Sequence, residues 1–185
     1  NIAVERDIAE LDERYGQISG AWLMEFDGEP RTLAAMQRYL ADPDRAVRRQ
    51  AWETLRARLS QDAEALDDLW EEMFQRRSEL ARNAGFDNFR DFAFAHMRRD
   101  YSPRACESFH AVVEAEVTPL VEAIAARRAD RLGVETLRPW DTSVDPFGRA
   151  PLQPFKAVDE LLAGTTRMMK RLDPALGARF EALHE

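Results

Sequence analysis

Three groups of residues have types and spacings that could do chemistry. Cys106, His110 and Glu114 step by four, which on a helix puts a thiol, an imidazole and a carboxylate on one face, a set able in principle to bind a metal. Two of these positions adjoin an apolar stripe, so a buried thiol beside a rim histidine outweighs a metal site, and no metal ligand is assigned to this chain. His184-Glu185 supplies the first half of His-Glu-x-x-His, the pattern that places two zinc-binding imidazoles on one helix face with the Glu as base. The sequence ends before a second His could appear. Trp140, Asp141, Asp145 and Arg149 combine a stacking surface with charges able to meet a peptide backbone or terminus. Their structural alternative is Trp140 as a buried plug and Asp141 as a cap for a free backbone N–H, in a loop that covers the ends of flanking helices. A Gly-rich phosphate loop, Cys-x-x-Cys and Gly-x-Ser-x-Gly are all missing. No residue of the chain is assigned a catalytic role.

The elements that would position these residues are helices. Pro43 to Ala84 contains no Gly or Pro beyond its opening proline, and Val47, Ala51, Leu55, Leu59, Leu66, Leu69, Met73 and Leu80 recur at three- and four-residue steps. The spacing predicts one continuous helix over about 43–84, roughly 60 Å long, started by Asp42-Pro43 and stopped at Asn83-Ala84-Gly85 with Phe86 folding back on the last turn. Arg45, Arg48, Arg49 and the other charges between are expected on its solvated face.

Before that rod, 1–42 reads as leading helices and a turn. Ile2 to Tyr15 is helical, 21–26 is either extended or a buried turn, Asp27-Gly28 turns, and Thr32 caps a helix carrying Leu33, Met36, Tyr39 and Leu40. After it, Asp87 opens a short helix over 88–98, whose Phe86, Phe89, Phe92 and Phe94 are expected to pack in a core rather than stack on a ligand. Ser102-Pro103 opens a helix that runs to Gly133, with Pro119 kinking or dividing it. Residues 134–154 form a Pro-rich connection, and 155–185 carries the last helices, starting at Phe155 and at Asp173-Pro174. The fold expected is all-α, an elongated multi-helix array around the long helix, forming one segment over 1–185.

Composition narrows the function. The chain has 185 residues, 32% charged and 45% apolar, with a formal net charge of −8, which excludes general nucleic-acid binding because phosphate neutralisation needs a basic surface. A single cysteine, Cys106, precludes an internal disulfide framework and predicts a reducing, cytoplasmic setting. No apolar run reaches the 18 or so residues of a membrane span, and no signal peptide opens the chain.

Several segments, taken in order, resemble the region upstream of the zinc motif in oligoendopeptidase F, a branch of the thimet-oligopeptidase-like zinc metallopeptidases. They are Ile18-Ser19-Gly20, Asp27-Gly28-Glu29, the run from Asp44 to Trp52, the run from Arg77 to Asp91, Asp100-Tyr101-Ser102-Pro103, and Leu137-Arg138-Pro139-Trp140-Asp141. The resemblance implies part of a larger helical peptidase fold whose upstream helices wall a deep peptide channel. It further implies short peptides as substrates, zinc in the parent enzyme, and a downstream catalytic half of the same polypeptide as partner. The stretch from Arg138 to Arg149 would then reach toward the channel. Set against this reading are a helical protein-interaction module and a peptide-binding protein without hydrolytic activity.

Overall fold

The computed structural model describes residues 1–150, 152 and 154–184. Pro151 and Gln153 of the predicted connection, and Glu185 of the half-motif at the end of the chain, lie outside the described residues.

The first nineteen helical residues form α1 (Ile2–Gly20), five residues longer than the pattern predicts because Gly16 does not break it. A hairpin follows, β1 (Leu23–Phe26) paired antiparallel with β2 (Glu29–Thr32), so the open alternative over 21–26 resolves as extended. Asp27 and Gly28 have φ of 56° and 74°, the left-handed pair that a two-residue hairpin turn needs. Thr32 then caps α2 (Leu33–Leu40) through its hydroxyl, which accepts from Ala35 N. Met24 and Phe26 on one face of β1 pack with Met36 and Ala51 as a core cluster.

The rod expected over 43–84 is two helices, α3 (Arg45–Ser60) and α4 (Ala63–Asn83). At the joint, Gln61 N and Asp62 N bond back three residues, to Arg58 O and Leu59 O, instead of four. The cause is tertiary: the Asp62 carboxylate accepts from Trp22 Nε1 at 2.9 Å and from Arg58 Nη1 at 2.5 Å, tying the joint to the chain before β1. The start also differs, since Asp44 rather than Asp42 is the cap and accepts from Ala46 N. The stop is as expected. Phe86 N reaches Ala81 O and Gly85 N reaches Arg82 O, the paired bonds of a left-handed glycine cap.

α4 buries Leu69 and Met73 against Leu11 of α1, a second core cluster. Asn88, one residue later than expected, caps α5 (Phe89–His96). Its phenylalanines differ from the core expectation: none is fully buried, and Phe92 instead meets Phe86, Phe89 and His96 ring to ring. Ser102 caps α6 (Pro103–Val112), a π turn spans Val113–Val117, and α7 (Thr118–Leu132) ends at left-handed Gly133. Pro119 thus divides the helix through a π turn, where its missing N–H is tolerated. A 3-10 turn, Pro139–Asp141, is the regular element among the described residues of the Pro-rich connection.

Residues from Arg149 onward form a second compact unit, in which α8 (Val158–Leu172) packs on α9 (Pro174–Glu181). Gly164 does not interrupt α8. A Cβ built on Gly177 would lie 2.1 Å from Lys170 Cγ and 3.0 Å from Lys170 Cα, so glycine permits the two helices to approach. Among the described residues the regular structure is helical apart from one hairpin, and no helix is long and apolar enough to cross a membrane.

Candidate functional site

Sequence reasoning singled out Trp140, Asp141, Asp145 and Arg149, and the fold treats them differently. Asp141 is fully buried. Both its oxygens are held by Arg45 of α3, Nε to Oδ1 at 2.9 Å and Nη2 to Oδ2 at 2.8 Å, and Arg48 Nη2 adds a third contact at 3.2 Å. Arg138 N donates to Oδ2 at 3.0 Å, so the carboxylate also closes the 3-10 turn. The Arg45 bonds foremost, with the Arg138 N–H and Arg48, outweigh burial and lower the carboxyl from 3.8 to about 2. Arg45 is raised in turn by Asp141.

Arg48 is the element that composition hid. Placed by its charge on the solvated face, it is 3% exposed, with Nε donating to Trp140 O and Nη1 to Asp42 O and Pro43 O. Arg128 of α7 completes the knot, Nε donating to Asp141 O at 2.8 Å and Nη2 to Val144 O. Three arginines from two helices therefore fix one short turn of the connection. The signal was available: Arg48 is in phase with Ala51, Leu55 and Leu59, and a charge in an apolar stripe calls for a buried partner.

Trp140 is half-buried, edge-on to Trp52 with centroids 5.4 Å apart, and lies beside the guanidiniums of Arg49 at 5.7 Å and Arg45 at 6.0 Å. Its indole nitrogen is buried without a hydrogen-bond partner among the described residues. Asp145 Oδ1 accepts from Phe147 N at 3.0 Å. Arg149 is exposed and begins the second unit.

A second concavity was not foreseen. Trp70, Met73, Phe74 and Arg77 of α4 face Phe89 and Arg90 of α5 across a cleft of about 520 Å³, with Trp70 66% and Phe74 60% exposed. Both rings follow directly on the stripe residues Leu69 and Met73, but α1 covers only the part of α4 that holds Leu69 and Met73.

Zinc does not fit the residues described. His110 and Glu114 are exposed, Cys106 is free, and no three His, Cys, Asp or Glu side chains gather among the described residues.

The described residues form a helical array in which three arginines of two helices brace one turn of the connection. The chain belongs to peptidase family M3, whose sequence model matches residues 38–181. It is similar over 98% of its length to a structure of PZ peptidase A with an inhibitor, at 25% identity and a TM-score of 0.91. A chain provisionally named oligoendopeptidase F matches at 27% identity and the same TM-score. One of that name from Bacillus anthracis str. Ames matches over 99% of this chain at 25% identity and a TM-score of 0.89. This chain spans about a third of their lengths, 32% of the first two and 34% of the third. No curated protein gives a significant match.

Proposed function

We propose that this chain is the non-catalytic helical portion of an oligoendopeptidase F-like zinc metallopeptidase, walling the channel in which the whole enzyme hydrolyses short peptides. The observation that supports it is the correspondence of 98% of this chain, at a TM-score of 0.91, with 32% of PZ peptidase A. Zinc and the general base then belong to the rest of the polypeptide, and this part contributes selection. Helical walls around a narrow channel admit unfolded oligopeptides and exclude folded proteins. Within that reading the connection over 138–149 helps shape the channel. Trp140, Asp145 and Arg149 are the candidate peptide contacts, and Asp141, occupied by arginines, is a positioning residue.

The test uses the full-length enzyme and a panel of quenched fluorescent peptides of graded length. Hydrolysis confined to short peptides, with zinc bound beyond residue 185, is the expected result. Arg149→Ala should raise KM or change the length preference with zinc content unchanged. A coding sequence that ends without His-Glu-x-x-His, or an enzyme inert toward every peptide, overturns the reading.

A further inference from the structure

The uncovered side of α4 carries a stripe that is complementary to itself. At roughly 100° per residue, Asp67, Trp70, Phe74 and Arg77 fall within an arc of about 80°. None of them is buried, and the two rings are 66% and 60% exposed. Asp67 has no hydrogen bond or ion pair among the described residues. Arg77 has a loose contact with Asp12 at 3.7 Å and lies 5.5 Å from the Phe89 ring centroid.

The order of these residues is symmetric. Trp70 and Phe74 stand two residues either side of Glu72, and Asp67 and Arg77 five either side. If a second copy lies antiparallel, with the twofold axis at the level of Glu72, each Trp70 arrives at the level of the other's Phe74. Each Asp67 likewise arrives at the level of the other's Arg77. The hollows match the rings they would receive. The cleft of about 520 Å³ runs along Phe74, where the larger indole comes, and one of about 330 Å³ lies beside Trp70, between Tyr15 and Leu66, where the smaller ring comes.

Charge selects both the occupant and its direction. Residues 63–75 carry five carboxylates and no Lys or Arg, and residues 76–83 carry three arginines and one carboxylate. Antiparallel copies set each half against the opposite sign, whereas parallel copies set like against like. At the rim, Glu64 comes near the level of Arg82, which has no ion pair among the described residues. Glu71 meets its own counterpart near the axis, at an exposed rim where water and salt screen the repulsion. A segment of one sign would suit only one half of the helix. On a chain of net charge −8, this local match offsets the general repulsion between copies.

We propose that the α4 stripe is an isologous contact surface between two copies of this chain, with Trp70 of each packed on Phe74 of the other and Asp67 paired with Arg77. The inference goes beyond the peptidase reading and does not depend on it.

The experiment is sedimentation velocity on the full-length protein across micromolar concentrations, where a dimer is expected. Trp70→Ala, at a position exposed in the single copy, is expected to weaken self-association by on the order of tenfold or more. Asp67→Arg and Arg77→Asp are each expected to be monomeric in the same range. An equimolar mixture of the two should dimerise again, because the mixed pair has opposite charges at both contacts. A wild-type monomer at every concentration overturns the proposal, whether the stripe is open or covered by the rest of the polypeptide. A dimer indifferent to Trp70→Ala overturns it too, which keeps the test decisive if a charge reversal does not fold. With folded variants, a mixture no more associated than its components does the same. Peptidase assays on the same samples report separately on the parent reading, so an active monomer refutes this contact alone.

Discussion

Removing the Asp141 carboxylate would leave Arg48, 3% exposed, as a buried cation without its anion. That loss is the costly kind, and Asp141→Ala is expected to lower the unfolding free energy by about 3 to 5 kcal/mol, read by urea denaturation at neutral pH. Arg45→Ala should cost less, because its guanidinium sits near half exposure and is screened by water. The pH dependence has a definite sign. Because the Arg45 bonds, aided by the Arg138 N–H and Arg48, lower the folded carboxyl from 3.8 to about 2, the stabilisation is complete above about pH 4. It fades as pH falls toward 2, a loss of about 2 kcal/mol. Asp141→Asn should be less stable at neutral pH and lack this acid-dependent step. An unchanged acid profile in Asp141→Asn would show that the group does not titrate there.

Elements in this chain are interrupted where a contact elsewhere gains from the interruption. The joint between α3 and α4 lets one carboxylate serve both Trp22 and Arg58. Asp62→Ala should destabilise the chain by stranding the indole N–H, and Trp22→Phe should recover much of the loss in the double variant. The π turn has a different logic. Deleting Ala115 would remove the extra residue that the π turn of Val113–Val117 accommodates and restore regular α-helical bonding, leaving α7 in the same phase on α6. The full-length deletion variant is expected to melt at a lower temperature despite a more regular helix, because the Pro119 ring would then meet the carbonyl four residues before it. Between α8 and α9, Gly177→Ala meets backbone as well as side chain, Lys170 Cα being 3.0 Å away. Helix propensity favours Ala by about 1 kcal/mol. The clash is expected to exceed that, seen as faster amide exchange across both helices in the full chain.

At the scale of the whole molecule, two compact units and several uncovered apolar faces belong to a chain that matches a third of a peptidase. A peptidase inhibitor should therefore slow proteolysis of the full-length enzyme at the 138–149 connection if that stretch lines the channel. Cleavage there that is indifferent to inhibitor would separate the connection from substrate binding.

The sequence by itself determined the helical class, the caps at Thr32, Ser102 and Gly85, the turn at Asp27-Gly28 and the division at Pro119. These are local: a side-chain oxygen within three residues, a glycine able to turn left-handed, a ring without an N–H. It also carried enough family-specific order for the peptidase resemblance. Tertiary structure alone decided that Arg48 is inside, because a charge counts as buried only when Asp141, 93 residues away, arrives to meet it. It likewise broke the rod at Asp62, which answers Trp22 from 40 residues distant. Periodicity marks which face of a helix is apolar. Whether another layer covers that face depends on which element the rest of the chain brings to it, and this separates buried Leu69 from exposed Trp70.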